Sequence, residues 1–215
     1  MCCLFLAASS TVAIAQTSVV DLVNPIIGTN GMGHTFPGAC VPFGLVQLSP
    51  DTDTIPHNVD GKYQPRSYEY CAGYQHKDSS IVGFSHTHFS GTGHSDVGDI
   101  LIMPTTGTLK LNPGTATNPD GGYRSRFSHG TEISRPGYYE VMLADYGVKA
   151  QLTTTQRVGI HKYTYPTNSE NQRIILDMIH GIYNYDGKVL WTNIRVENDT
   201  LVTGYRITNG WARTN

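Results

Sequence analysis

Between residues 137 and 208 apolar side chains recur at every second position, and that period constrains the fold more than any other feature. In Tyr139-Glu140-Val141-Met142-Leu143, residues 139, 141 and 143 share one apolar face. In Val148–Thr154 the apolar set is Val148, Ala150 and Leu152, with Lys149, Gln151 and Thr153 opposite. Successive strand side chains point to opposite faces, so each segment reads as a half-buried antiparallel strand. Asp145-Tyr146-Gly147 supplies turn chemistry between them and makes the two a hairpin. Further strands are predicted at 44–48, 99–103, 108–111, 158–165, 173–179, 188–196 and 201–208. Asn112-Pro113-Gly114 and Asn118-Pro119-Asp120-Gly121-Gly122 break the run. No window carries a sustained helical period. Many short strands with frequent turn signals predict an all-β chain, an antiparallel β-sandwich.

Composition agrees. Of 215 residues only 15% are charged, while 23 are Gly, 11 Pro and 13 Tyr, which favours strands joined by loops. The formal net charge is −2 and no basic block occurs, so nucleic acid is excluded as a partner. Residues 1–16 carry no charge and run through Leu4-Phe5-Leu6-Ala7-Ala8 to Ala13-Ile14-Ala15-Gln16. Ala13 and Ala15 give the small-x-small pattern of a signal-peptidase site, and the apolar run is too short to span a membrane. No Lys or Arg precedes that run. The expectation is a signal peptide at 1–16, a domain at 17–215, and export to the periplasm, cell surface or medium. Cys2 and Cys3 would leave with the signal. The remaining Cys40 and Cys71 do not make a disulfide framework, and whether they pair stays open.

The candidate functional residues concentrate in residues 83–99, which hold three His, two Asp and four Gly directly after Ile81 and Val82. Such polar density on a flexible backbone predicts a binding surface in place of core. His86 and His88, projecting to one face of an extended segment, could form a metal site with His94 and Asp96, giving an independent metallohydrolase. A second reading is a hydrogen-bonded loop whose Ser, Thr and His groups satisfy one another. A third is a carbohydrate surface, with aromatics from Tyr68-Glu69-Tyr70-Cys71-Ala72-Gly73-Tyr74 against sugar C–H faces. Ser90 is not in a nucleophile elbow, and Gly91-Thr92-Gly93 lacks the third glycine of a phosphate loop. Asp78, Asp96 and Asp99 lie close in sequence, and glycoside cleavage needs two placed carboxyl groups.

Three segments, in order, resemble the N-terminal domain of glycoside hydrolase family 92, the calcium-dependent exo-acting α-mannosidases. The first runs from Val23-Asn24-Pro25-Ile26-Ile27-Gly28-Thr29 through His34-Thr35-Phe36-Pro37-Gly38-Ala39 and Val41-Pro42-Phe43-Gly44 to Gln47-Leu48-Ser49-Pro50-Asp51. The second is Cys71-Ala72-Gly73-Tyr74 followed by Asp78, and the third is residues 81–99 continued by Ile100-Leu101-Ile102-Met103-Pro104. Ser134-Arg135-Pro136-Gly137-Tyr138-Tyr139 and Thr155-Gln156-Arg157-Val158-Gly159 extend the likeness. The resemblance implies a β-sandwich packed on a C-terminal (α/α)6 barrel and hydrolysis of terminal α-mannosides with inversion. Calcium would bind the sugar hydroxyls. The acid, the base and most calcium ligands would belong to the helical domain, so this chain alone is expected to be inactive and to carry no catalytic residue or metal ligand. Tyr70, Cys71, His86, His88, Ser90, His94 and Asp96 are the candidates for lining a mannose pocket. The family commonly has Trp where Tyr70 stands and often Cys where His94 stands, which puts linkage specificity in question more than fold. An autonomous carbohydrate-binding sandwich is the alternative.

Overall fold

A computed structural model describes residues 18–53, 55–91, 97–184 and 187–210. The expected signal segment lies outside them. Two antiparallel sheets face each other. One is a four-stranded meander of Ile133–Arg135, Tyr138–Leu143, Val148–Thr154 and Gly159–Thr164. Its central hairpin is the predicted one, with Tyr139 opposite Leu152 and Val141 opposite Ala150. The other sheet has five strands, in spatial order Ala39–Cys40, Gln47–Asp51, Gly83–Ser85, Leu101–Thr105 and Arg173–Asp177. Leu48, Phe84, Leu101 and Met103 from this sheet meet Tyr139, Val141, Leu143, Val148, Ala150 and Leu152 from the meander in one buried core. Burying each such Leu, Val or Phe contributes roughly 1.5–3 kcal/mol, so the period-two pattern accounts for the sandwich. No described helix is long and apolar enough to cross a membrane.

Several boundaries differ from expectation, each for a local reason. The strand predicted at 44–48 begins at Gln47, because Gly44 N closes a turn on Val41 O and Leu45 N donates to Gln156 O. The strand predicted at 99–103 starts at Leu101. The strand predicted at 173–179 stops at Asp177, whose Oδ1 accepts the backbone N–H groups of Ile179 and His180 and turns the chain. No strand forms at 108–111. Gly107, at φ +73°, turns the chain away from the sheet and leaves Leu109 and Leu111 exposed.

The largest correction concerns residues 83–99. The segment was expected to be a binding loop throughout, yet Gly83–Ser85 is a wholly buried strand inside the five-stranded sheet, with Phe84 paired to Pro50 and Ile102. Scaffold therefore comes from both halves of the chain. At the far end, Val189–Asn198 and Leu201–Thr208 pair with each other as a hairpin exposing Trp191, Val196 and Ile207. Arg206 holds this hairpin down, donating to the carbonyls of Met178 and His180 and to the Asp99 carboxylate.

Candidate functional site

The ends of two adjacent strands and three loops meet on Asp51. This carboxylate has no exposed surface. Its Oδ1 accepts from His88 Nε2 at 2.8 Å, and its Oδ2 accepts from Ser85 Oγ at 2.7 Å and His180 Nε2 at 2.6 Å. Burial alone would push the carboxyl pKa up. The His88 charge and the hydrogen bonds from His180 and His88 outweigh it and hold Asp51 well below the ordinary carboxylate range. His88 Nδ1 faces Gln47 O at 2.7 Å. With Asp51 ionised, both His88 ring nitrogens therefore donate. Gly73 closes the site from above at φ +80°, where a Cβ would lie 2.1 Å from Asp51 Oδ1. Only glycine fits there.

A second pair of imidazoles lies beside it. His86 Nδ1 donates to Ile100 O at 2.7 Å, so its Nε2 is left to accept from His161 Nε2 at 3.0 Å. His161 Nδ1 then accepts from Tyr163 Oη at 2.6 Å. This single set of proton positions satisfies every group with both imidazoles neutral. Burial lowers both pKa values accordingly, that of His161 to about 3. Ile100 holds its carbonyl in place from a left-handed backbone, φ +53°, an outlier for a β-branched residue. His86 and His88 thus do not converge on one metal position: each is committed to separate partners. His94 and Asp96, the other members of that expected site, lie outside the described residues.

Above His88 opens a groove of ≈ 570 Å³ lined by Phe36, Phe43, Gln47, His88, Phe89, Ser90 and Arg135 among others. Ser90 is exposed at its edge, and the next residue ties the loop down, Gly91 N donating to His34 O at 2.7 Å. The Phe36 ring packs against His88 with centroids 5.2 Å apart. Phe43 is wholly exposed and sits at φ +59°. A bulky residue in that conformation costs of order 1–3 kcal/mol and is a mark of functional sites. A larger concavity of ≈ 1020 Å³ adjoins the groove through Val23, Arg135 and Pro136. It has no histidine in its lining, whereas the groove sits directly on the His88–Asp51 pair, and so the groove is the better candidate.

Residues 22–215 match the N-terminal domain of glycosyl hydrolase family 92. The chain belongs to that family. A family 92 α-mannosidase from Bacteroides thetaiotaomicron, solved in complex with mannoimidazole, is 46% identical with a TM-score of 0.79 over 89% of this chain and 23% of its own. A family 92 inverting mannosidase from the same bacterium is 25% identical with a TM-score of 0.62, over 91% of this chain and 24% of its own. An uncharacterized secreted glycosidase from Arthroderma benhamiae is 28% identical over 170 residues, 75% of this chain and 19% of the relative. The chain spans a quarter or less of these relatives' length.

Not all the expected pocket residues of the family 92 domain share the groove. His88 and Ser90 line it. Tyr70 and Cys71 are buried outside its lining. The Tyr70 hydroxyl donates to Asp78 Oδ1 at 3.1 Å, and burial raises its pKa. Cys71 packs with Val97 and Ile182, and burial pushes its thiol up to about 11. Cys40, on the groove wall, and Cys71 are both free thiols. Asp51, Ser85, His161 and His180 were not foreseen. Asp51 had a faint signal as the last residue of the first family segment, whereas His180 had none.

Calcium takes six to eight oxygen donors. His76, His129 and Glu132 bring one donor atom each within 4.8 Å of one another. Two imidazoles and one carboxylate are too few and too nitrogen-rich for calcium.

Proposed function

We propose that this chain is the N-terminal part of an exported α-mannosidase and that its groove forms one wall of the mannose pocket. The observation that carries the proposal is Phe43, a fully exposed aromatic held in a strained backbone at the groove edge. With Phe89 it offers an apolar surface for the C–H face of a sugar, while Ser90 and Arg135 offer polar groups for its hydroxyls. His88 has both ring nitrogens engaged, so it positions the loop and leaves the sugar to its neighbours. The 46% identity to an α-mannosidase solved with mannoimidazole supports the substrate class.

Hydrolysis with inversion needs two carboxyl groups roughly 6.5–9.5 Å apart, one acid and one base, flanking the bond. Asp51 cannot serve, being sealed and saturated by three donors. Asp78 is bonded to Tyr70 outside the groove lining, and Asp99 accepts from Thr87 and Arg206. The family resemblance implies that the acid and base, together with most calcium ligands, belong to a helical domain of a longer protein, and these three aspartates offer no competing pair. The apolar surface of the hairpin, with Trp191 60% and Val196 71% exposed, favours such a covered partner face over an autonomous binding module. Export is assigned to residues 1–16, and a secreted product would start at residue 17.

Titration of the 215-residue chain with methyl α-mannoside, followed by amide NMR, tests this. Shifts at Phe43, Ser90 and Arg135 that disappear in Phe43→Ala are expected. So is no turnover of α-linked mannobiose with calcium. Shifts confined to another face, or robust turnover, would overturn the reading.

A further inference from the structure

We infer that His76, His129 and Glu132 form a binding site for a divalent transition-metal ion of the zinc type, separate from the groove and from calcium. One donor atom from each of the three lies within 4.8 Å of the other two. His129 Nδ1 is 2.8 Å from Glu132 Oε2, and the rings of His76 and His129 face each other with centroids 4.0 Å apart and a tilt of 35°. The ligand types decide the ion. Two imidazole nitrogens and one carboxylate oxygen suit zinc, copper, nickel or cobalt, and are too few and too nitrogen-rich for calcium or magnesium.

The surroundings are built as supports for metal ligands are. The Glu132 side chain is only 3% exposed, and its Oε1 accepts from Tyr139 Oη at 2.7 Å. Tyr74 Oη donates to the same carboxylate, 2.9 Å from Oε1 and 3.0 Å from Oε2. Two hydroxyl donors thus fix the carboxylate and keep Oε2 toward His129, the outer-shell arrangement that orients metal ligands. His76 is anchored through its backbone N–H to Thr29 O at 2.8 Å. Phe127 meets the His129 ring edge-on at 4.9 Å. The His129 side chain is 36% exposed, which gives an ion a route in from solvent.

Donors on a tetrahedral ion with bonds of about 2.0–2.2 Å stand about 3.4 Å apart, so the His129–Glu132 pair at 2.8 Å would open slightly while His76 adjusts, within reach of side-chain rotation. The ion would take the place of a proton between His129 Nδ1 and Glu132, the neutral imidazole carrying its one proton on Nε2. Three protein ligands leave a fourth tetrahedral position for water. The ion would clip the loop after Tyr74 to the turn His129–Thr131 and stabilise the folded chain by mass action.

The test is equilibrium dialysis of the 215-residue chain against micromolar zinc, with thermal unfolding measured alongside. Close to one equivalent bound and a zinc-dependent rise in Tm are expected. His129→Ala, at a partly exposed position, should weaken zinc binding at least about tenfold and remove the rise, with unfolding in the absence of metal little changed. His76→Ala gives the same test from the other loop. No bound zinc, binding unaffected by both variants, or displacement by equimolar calcium would each overturn the site.

Discussion

His88 Nε2 donates to Asp51 Oδ1 across 2.8 Å in a place where neither side chain has any exposed surface. This contact joins three segments that are far apart in the chain: the strand ending at Asp51, the turn at Gly73 and the loop following Ser85. His180 enters as the fourth element. A buried charge is tolerated only when its partners are complete.

Asp51→Asn removes the countercharge and leaves a buried imidazolium unpaired. The expected loss is about 3–5 kcal/mol of stability, read from the shift of a urea unfolding midpoint. A loss below about 1 kcal/mol would show that the hub is dispensable. In the native chain the depressed Asp51 pKa adds stability that is complete above the ordinary value of 3.8 and is lost as pH falls below it.

His161 acts earlier in an acid titration. Its pKa is lowered from 6.5 to about 3 in the folded chain, so between those values the unfolded chain binds the extra proton. Stability should therefore fall as pH drops from 6.5 toward 3. In His161→Gln the same titration, followed by urea unfolding at each pH, should be flatter over that interval. An unchanged slope would mean that the imidazole is not held neutral.

Gly73→Ala places a methyl 2.1 Å from Asp51 Oδ1 at a left-handed backbone position. Backbone strain alone costs about 1–3 kcal/mol, and displacement of the carboxylate from His88 adds to it. Thermal unfolding of the variant should show a clear drop in Tm. A neutral result would require the Asp51 cluster to move freely, against its burial.

The two thiols should separate in a labelling experiment. Cys40 is exposed, whereas Cys71 is buried with its pKa raised to about 11. A thiol reagent near neutral pH should modify Cys40 promptly and Cys71 only on unfolding. Two fast equivalents in the folded chain would contradict the packing of Cys71 against Val97 and Ile182.

The two central strands of the meander were readable residue by residue, although its first strand, Ile133–Arg135, was not predicted. In Tyr138–Leu143 and Val148–Thr154 each side chain's burial follows from one local rule, alternation, because one face of that sheet meets the core and the other does not. The five-stranded sheet was less legible. Gly83-Phe84-Ser85 has a poor strand signature, and its place inside the sheet depends on a neighbour: a Cβ at Gly83 would lie 2.4 Å from Leu101 Cδ2. Glycine is there because the neighbouring strand leaves no room, and a sequence does not display its neighbours.

Alternation, turn chemistry and three ordered segments were enough, without coordinates, to specify an all-β sandwich of family 92, since those features act over a few residues at a time. The fold alone assigned work to the histidines. It sent His86 to His161 and His88 to Asp51, and brought His180 to Asp51 across 129 positions of chain. Pairing of buried polar groups depends on distance in space, and along the chain those groups are too widely separated for any local pattern to record it.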